Sequence, residues 1–341
     1  MCTEVEEPKV SVIIPMHNAQ EYIKEAVKSV ENQTLRELEI IIIDDQSIDN
    51  SSTIVEGIAK RDKRVVLLKS NKQIGAGLAR NLGIKSAKGV YLAFLDADDF
   101  YPDKNSLANL YKTAIKTNSK ICGGSMEIVN QNGQPVNRRV PFQYFTKNER
   151  IRYQDYQFDG GFYRFIYERR FILAKGLFFP NLLKFEDPVF FIKAMTQARE
   201  FYVIKDYVYS YRKYHKIDSW KQNEIEDQFR GISYALSLAK RENFKDLQYL
   251  LVKNILECLH FKSRSINLCR RLVWTTTFIA KVNWKWIYLA NKKIRFNYLN
   301  LNFWVEHLWD QKNEPERKWK QNYELQFRIE VFRNCSCVQR I

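Results

Sequence analysis

Blocks of apolar residues alternate with helical patterns through the first 120 positions of the chain. Four short runs rich in β-branched and aliphatic residues predict buried strands, and apolar residues recurring every three or four positions between them predict amphipathic helices. The strand-like runs are KVSVIIP, LEIIIIDD, RVVLLKS and VYLAFLDADD. Consecutive strand–helix units need right-handed crossovers, so the pattern predicts an α/β fold in which helices flank a central, mostly parallel sheet.

The rest of the chain has weaker strand patterns and then helical ones. KICGGSMEIVNQNGQPVN predicts two strands joined at Asn132-Gly133, FEDPVFFIKAMTQA predicts a helix, and FYVIKDYVYSYRKY predicts two short strands. Helical patterns dominate beyond Trp220. We therefore expect a sheet domain of residues 1–218 and a mainly helical C-terminal region of residues 219–341.

Positive charge is concentrated toward the C-terminal end. The 341 residues carry a formal net charge of +16, and residues 220–341 hold 22 Lys and Arg against 12 Asp and Glu. Between Glu257 and Glu306 there is no acid, and nine basic residues are interleaved with large aromatic ones. Such a mixture suits an anionic membrane surface or an acceptor-binding part, although a helical subdomain with a solvated charged face explains it as well.

The N-terminal segment MCTEVEEPK carries acids where an export signal has a basic flank and an apolar block, so we expect a cytoplasmic protein. The most apolar stretch, LVWTTTFIAKVNWKWIYLA, is interrupted by Lys281 and Lys285, which argues against a membrane span. Peripheral contact with the inner face of a membrane is the remaining expectation. The six cysteines are scattered, as expected for reduced thiols.

Polar clusters follow the predicted strands at their carboxyl ends, where open α/β sheets bind ligands. Asp96 and Asp98 come directly after an apolar run, and such a pair is able to share one Mg²⁺ or Mn²⁺ with substrate phosphates. Capping of the next segment by Asp98 or Asp99 accounts for the same acids. Asp44 and Asp45 end the second strand, where a carboxylate is able to accept hydrogen bonds from a base or a ribose.

Three further segments carry candidate chemistry. In FEDPVFF, Asp187 is a candidate general base with Glu186 as its neighbour, although a plain helix start with Asp187 as the N-cap explains these residues too. In YSYRKYHKIDSW, Arg212 is a candidate phosphate ligand and His215 a candidate metal ligand. In GAGLARNLG, Arg80 stands where the dinucleotide fingerprint needs a third glycine, so nicotinamide binding is not expected; Arg80 either faces phosphates or pairs with an aspartate.

Four motifs occur in an order and at separations that carry a family resemblance. VSVIIPMHN, IIIIDDQSIDNS, GAGLARNLGIKSAKGVYLAFLDADD and FEDPVFF together resemble the inverting glycosyltransferases of family 2, which have the GT-A fold. The resemblance covers residues 9–219. Two positions depart from the family pattern: MHN replaces the usual tyrosine-asparagine ending, and Gln46 stands where glycine is commoner, so its turn must accept a side chain.

The resemblance implies a role for each matching residue and a divalent metal, Mn²⁺ or Mg²⁺. Asp96 and Asp98 match the D-x-D pair, with Asp98 as the direct metal ligand. Asp187 matches the base that deprotonates the acceptor hydroxyl for in-line attack with inversion. By the resemblance, the nucleotide pocket is expected to use Pro15, Asn18, Asp44, Asp45, Arg80 and Asp96. Apart from the resemblance, we expect substrate contacts from Glu186, Asp99 and Arg212.

The resulting prediction is a metal-dependent inverting hexosyltransferase. Its nucleotide-sugar donor is expected to be a UDP-sugar and its acceptor a glycan or lipid-linked hydroxyl in the synthesis of lipopolysaccharide, lipooligosaccharide or another surface polysaccharide. One alternative is a nucleic-acid-binding protein that uses the basic C-terminal region; no RNA- or DNA-binding motif is visible and acids cluster where a basic groove would lie, so no nucleic-acid partner is expected. Another is a nucleotidyltransferase, whose glycine-rich entry loop is missing from IPMHNAQEY.

Overall fold

The computed structural model describes residues 7–136, 144–213 and 221–257. Most of the basic C-terminal region and His215 therefore lie outside the described residues. Eight strands within these ranges form one sheet. They are β1 Val10–Met16, β2 Leu38–Asp44, β3 Val65–Lys69, β4 Tyr91–Phe94, β5 Ile121–Val129, β6 Glu149–Arg152, β7 Phe165–Glu168 and β8 Glu200–Arg212.

The described helices cover both faces of this sheet. They are α1 Ile23–Glu31, α2 Ser51–Ala59, α3 Ala76–Ser86, α4 Ser106–Thr117, α5 Tyr153–Tyr156, α6 Arg169–Ala174, α7 Glu186–Ala198, α8 Gln222–Arg241 and α9 Lys245–Glu257. One core packs α1, α2 and α4 against the sheet, and the other packs α3 and α5 to α9 against the opposite face. Burial on both faces is why the strands are nearly continuous apolar runs.

The strand order is β3-β2-β1-β4-β7-β5-β8-β6. The pairs β1–β2, β1–β4, β2–β3 and β5–β8 are parallel, whereas β4–β7, β5–β7 and β6–β8 are antiparallel. The predicted α/β fold with a mostly parallel, helix-flanked sheet is therefore confirmed. In the register of the parallel pairs, β1 lies between β2 and β4, so the polar segments that follow these three strands leave the same edge of the sheet.

One local prediction was wrong, and a second is met in part. FYVIKDYVYSYR forms the single strand β8 rather than two, and the irregularity lies in its register with β5 on either side of Ser125. Asn132-Gly133 does form a turn, with Gly133 at φ +75°, and in the described residues that follow it, up to 136, Pro135 forms an isolated bridge with Val129. A bulge and a short edge contact leave no clear trace in a pattern of alternating residues.

Helices α8 and α9 extend the core beneath α7. Ile225, Phe229 and Ile232 of α8 are buried in the same cluster as Phe190 of α7. Across the described ranges, no helix combines the length and the apolar character that crossing a membrane requires.

Candidate active site

The loop between β3 and α3 is held by the carboxylate of Asp45. Its Oδ1 accepts hydrogen bonds from the Ile74 N–H at 2.7 Å and the Ser70 hydroxyl at 3.1 Å, and its Oδ2 accepts one from the Gly75 N–H at 2.8 Å. Gly75 has a φ of +84°, a conformation that favours glycine, and α3 begins at the next residue. The buried Asp45 carboxylate thus orients the glycine segment at the edge of the sheet.

A second network joins the loops after β1 and β2. Asn18 Oδ1 accepts a hydrogen bond from the Ile48 N–H at 2.9 Å, and Asp44 Oδ1 accepts one from a backbone N–H three residues along at 2.8 Å. Gln46 between them has a φ of +60°, and its side-chain amide donates to the carbonyl of Asn71 at 2.7 Å. Residues other than glycine rarely adopt this left-handed conformation, and here the hydrogen bond to Asn71 holds Gln46 in it.

Arg80 joins two acids that are far apart in the chain. Its guanidinium donates to Asp96 Oδ1 at 2.7 Å and to Glu186 Oε1 at 3.2 Å, and it lies over the rings of Phe162 and Phe179. Arg80 is only 5% exposed. Burial lowers the pKa of Arg80, but the charges of Asp96 and Glu186 raise it by more, so the side chain is cationic throughout the physiological range.

Asp99 is buried, unlike the partly exposed acid pair of Asp96 and Asp98. It is 2% exposed; its Oδ2 accepts a hydrogen bond from the Tyr209 hydroxyl at 2.7 Å, and its Oδ1 accepts one from the Arg212 N–H at 2.6 Å. Burial and the charges of Asp96 and Asp98 raise the pKa of Asp99 well above its usual range, while these two hydrogen bonds lower it. Residues 96–99 form a turn, called the acid turn below, in which the Asp99 N–H donates to the carbonyl of Asp96 at 3.0 Å. Asp99 therefore ties the acid turn to β8.

Arg212 completes this tie from the end of β8. Its Nε donates to the carbonyl of Asp98 at 2.7 Å, its Nη1 donates to the carbonyl of Gln131, and its Nη2 pairs with Glu25 at 2.6 Å. The guanidinium also lies over the ring of Tyr22. Arg212 is 3% exposed, so its donors are used within the protein at the back of the turn that carries the acid pair.

Asp96 and Asp98 are the partly exposed members of the acid cluster. In the ranges that the structure describes, no group of three or more His, Cys, Asp or Glu side chains converges as a complete metal cage. Two carboxylates fit Mg²⁺ or Mn²⁺ nonetheless, because such ions are commonly held by one or two carboxylates together with substrate phosphates. Asp96 and Asp98 therefore form a donor set of the right chemistry for a metal that arrives with a diphosphate.

Glu186 and Asp187 lie in the first turn of α7, where the helix dipole favours negative charge. The helix begins earlier than predicted: Phe185 is the N-cap, so Asp187 and Pro188 lie inside the first turn, and the prediction of Asp187 as N-cap was wrong. Gly77 of α3 makes room for this turn, since a Cβ at that position would lie 2.9 Å from Glu186 Cγ.

The electrostatics of Asp187 differ from those of an ordinary carboxylate. Burial and the charge of Glu186 raise its pKa, and the charge of Arg80 partly offsets this, giving a pKa of about 8. A carboxyl group with a pKa near the working pH is suited to accept a proton during a reaction. Asp187 has this property. It directly follows Glu186, which Arg80 links to Asp96.

The structure adds residues to which the sequence did not point. The Tyr209 hydroxyl accepts a hydrogen bond from the Asp96 N–H at 3.2 Å, and its ring stacks on Tyr163 at 4.4 Å between centroids. Tyr163 also stacks on Tyr211 at 5.7 Å. The one signal in the sequence is the tyrosine at every second position of YVYSYR, which places alternate rings on one face of a strand.

The predicted site residues fall into three groups. Arg80, Asp96 and Glu186 are in direct contact, with Asp187 beside them; Asp98, Asp99 and Arg212 form the acid turn and its support. Pro15 lies in β1 opposite Ile43, and the side chains of Asn18, Asp44 and Asp45 organise the loops at the neighbouring strand ends.

The family model and the relatives that match this chain all describe glycosyltransferases. The family model described as "Glycosyl transferase family 2" matches residues 11–173. An uncharacterized glycosyltransferase of Haemophilus influenzae is 31% identical over 197 residues, which are 57% of this chain and 74% of that protein. The uncharacterized glycosyltransferase EpsJ of Bacillus subtilis is 31% identical over 215 residues, 60% of this chain and 61% of EpsJ. This chain therefore spans about three fifths of the length of EpsJ.

One further relative and one solved structure are informative. The poly(ribitol-phosphate) beta-glucosyltransferase of Bacillus spizizenii is 30% identical over 207 residues, 60% of this chain and 32% of that protein. The crystal structure of S. aureus TarS 1-349 in complex with UDP-GlcNAc superimposes with a TM-score of 0.65 and 21% identity over 82% of each chain. At that identity the likeness concerns the fold.

Proposed function

The chain belongs to glycosyl transferase family 2, and on this premise we propose that it is a metal-dependent, inverting enzyme that moves a sugar from a UDP-sugar to a hydroxyl group of a glycan or lipid-linked acceptor. The observation that carries the proposal is the Arg80 side chain. It contacts Asp96 of the D-x-D pair and Glu186 of the E-D pair, the name used here for Glu186 and Asp187. These acids are far apart in the chain, so Arg80 brings the donor side and the acceptor side into one site.

The donor side of the proposed site consists of Asp96 and Asp98. These carboxylates would hold Mn²⁺ or Mg²⁺, which when bound neutralises the charge that develops on the diphosphate leaving group. The backbone of the acid turn is already held from behind by Tyr209, Asp99 and Arg212. These hydrogen bonds fix the backbone of the turn, which supports the proposal that its two carboxylates hold the metal.

Asp187 is the proposed base. Its carboxylate accepts the proton of the acceptor hydroxyl while the acceptor oxygen forms a bond to the anomeric carbon. The bond from that carbon to the diphosphate oxygen breaks on the opposite face, which inverts the configuration and releases the nucleoside diphosphate. The positive charge of Arg80 lowers the pKa of Asp187 and so increases the fraction of base in the deprotonated form.

The loops after β1 and β2 are the proposed nucleotide pocket, with Pro15, Asn18 and Asp44 along its wall. Asp45 supports this pocket indirectly, because its carboxylate accepts hydrogen bonds from the loop that leads into α3. We further propose an acceptor from the synthesis of a surface polysaccharide and contact with the inner face of a membrane through the basic C-terminal region. The name of the poly(ribitol-phosphate) glucosyltransferase supports the first of these.

A donor screen tests the proposal. UDP- and GDP-sugars are incubated with the full chain and Mn²⁺, and release of the nucleoside diphosphate is measured; UDP-GlcNAc is the first donor to try. Asp187→Asn should bind UDP with Mn²⁺ as the wild type does and release no product above background. Full activity of Asp187→Asn would refute its role as base, and no turnover of any nucleotide sugar by the wild type in the presence of candidate acceptors would refute the function.

A further inference from the structure

The residue before the E-D pair has a strained backbone. Phe185 has a φ of +69°, in the left-handed region that a bulky side chain rarely adopts. Such conformations persist only where the surrounding structure holds them, and they concentrate at functional sites. Because Phe185 is the N-cap of α7, its conformation sets the direction in which the first turn, with Glu186 and Asp187, leaves the preceding loop.

One face of α8 holds the loop that contains Phe185. Asp227 Oδ2 accepts a hydrogen bond from the Leu183 N–H at 2.9 Å. One turn earlier, Glu224 lies 3.8 Å from the Lys184 ammonium group. Positions 224, 227 and 231 lie three and four residues apart, so they share one face of the helix.

Gly231 provides the close approach on this face. A Cβ at position 231 would lie 3.0 Å from both Cβ and Cδ1 of Phe185 and 3.2 Å from Leu182. These distances are tighter than ordinary carbon contacts, so even an alanine would push against the strained residue. The absence of a side chain lets α8 lie directly against the loop and confine Phe185.

We propose that Asp227 and Gly231 are positioning residues for the E-D pair: α8 holds the loop of residues 182–185 so that Asp187 is presented at the correct place for proton transfer. The inference rests on the proposed function, because it assumes that Asp187 is the base. It assigns to α8 a part in catalysis that acts through Phe185. Misplacement of a reacting group by about 1 Å can reduce a rate by about a hundredfold, so a small shift of this loop is enough to matter.

Three variants separate the hydrogen bond from the charge. Asp227→Ala removes the acceptor for the Leu183 N–H, whereas Asp227→Asn keeps an acceptor oxygen and removes only the charge. Arg230→Ala is the matched control, since Arg230 pairs with the other oxygen of Asp227 at 3.1 Å and its own side chain is 70% exposed. We expect kcat for UDP release from the active UDP-sugar to fall about tenfold or more in Asp227→Ala and less than about twofold in the other two.

A glycine pair tests the packing contact independently. Gly231→Ala should lower kcat about tenfold or more through the shift of Phe185. Gly57→Ala in α2, where a Cβ would meet nothing within 4 Å, should leave kcat unchanged. In all variants the affinity for UDP with Mn²⁺, measured by calorimetry, should stay within about twofold of the wild type, because the turn that carries Asp96 and Asp98 is held by Tyr209 and Arg212 of β8.

Amide hydrogen exchange of residues 181–187 in the chain of 341 residues gives a readout besides activity. Exchange at this loop should accelerate in Asp227→Ala and return toward the wild-type rate in Asp227→Asn. Wild-type kcat in Asp227→Ala despite faster exchange would overturn the proposal, and so would an equal loss of UDP affinity and kcat, which indicates general unfolding. Failure of the proposed function is distinct, since the wild type itself would then turn over no nucleotide sugar.

Discussion

Replacing Arg80 by methionine is the most demanding test of the site. Methionine keeps a long unbranched side chain but removes the charge and all donors, leaving Asp96 and Glu186 without their shared partner. Removing one partner of a buried ion pair costs about 3–5 kcal/mol of unfolding free energy. Because the Asp96 side chain is 25% exposed and is therefore partly solvated, we expect the lower end, about 3 kcal/mol.

The same substitution should change the pH dependence of the reaction. The charge of Arg80 lowers the pKa of Asp187, which stands at about 8 with that charge present. Without Arg80 the pKa of Asp187 should move above 8. The rise of kcat/KM with pH should therefore occur at higher pH in Arg80→Met than in the wild type, in addition to any loss in the maximal rate.

Urea denaturation followed by fluorescence and circular dichroism measures the loss of unfolding free energy in Arg80→Met. Arg80→Met combined with Glu186→Gln is the informative control, because removing one of the two unpaired charges should restore part of the lost stability. The unfolding free energy of Arg80→Lys should lie between those of Arg80→Met and the wild type, since an ammonium group keeps the charge but lacks the planar set of donors with which the guanidinium contacts both acids. A change of less than about 1 kcal/mol in Arg80→Met would refute the assignment of Arg80 as the buried link between the two acid pairs.

Three other outcomes are expected. Asp98→Ala should abolish the Mn²⁺-dependent part of UDP binding, measured by calorimetry with and without the metal; unchanged metal dependence would remove Asp98 from the metal site. In the wild type, kcat/KM should rise as the pH increases through about 8, because Asp187 must lose its proton to act as a base. The folded state holds this proton above the ordinary carboxyl range, so the unfolding free energy should fall as the pH rises from that range to about 8 and level off above it, and this slope should be missing in Asp187→Asn. Asp45→Ala should lower the unfolding free energy by about 2–4 kcal/mol and accelerate amide exchange at Ile74 and Gly75, whose N–H groups lose their acceptor, with partial recovery in Asp45→Asn; protection equal to the wild type would contradict the anchoring role.

The sequence predicted the part of the fold that depends on local pattern. The strands β1 to β4 are short apolar runs that end in polar residues, and both features follow from burial of the sheet and exposure of its edge. The candidate residues at those ends, including Asn18, Asp44 and Asp96, accordingly lie in adjoining loops. The boundary near residue 218 stays a prediction.

The remainder depended on tertiary contacts that no local pattern encodes. Asp99 and Arg212 were predicted to contact substrate, yet the structure places both in the interior, because each is the other's partner behind the acid turn. Their roles toward substrate stay predictions. Likewise, the left-handed Phe185 has no signature in FEDPVFF, since the helix that lies against it, α8, comes from a later part of the chain.

The tie made by Arg212 has a consequence for how the protein reaches its working state. Arg212 lies 187 positions from Glu25 and 114 positions from Asp98 along the chain, and it contacts both. Arg80 lies 106 positions from its partner Glu186. Contacts of such long range form late, because the entropy of closing large loops must be overcome first. We therefore expect that a nascent chain that lacks β8 holds no assembled acid turn, and that the capacity to bind a donor emerges only after β8 has been added.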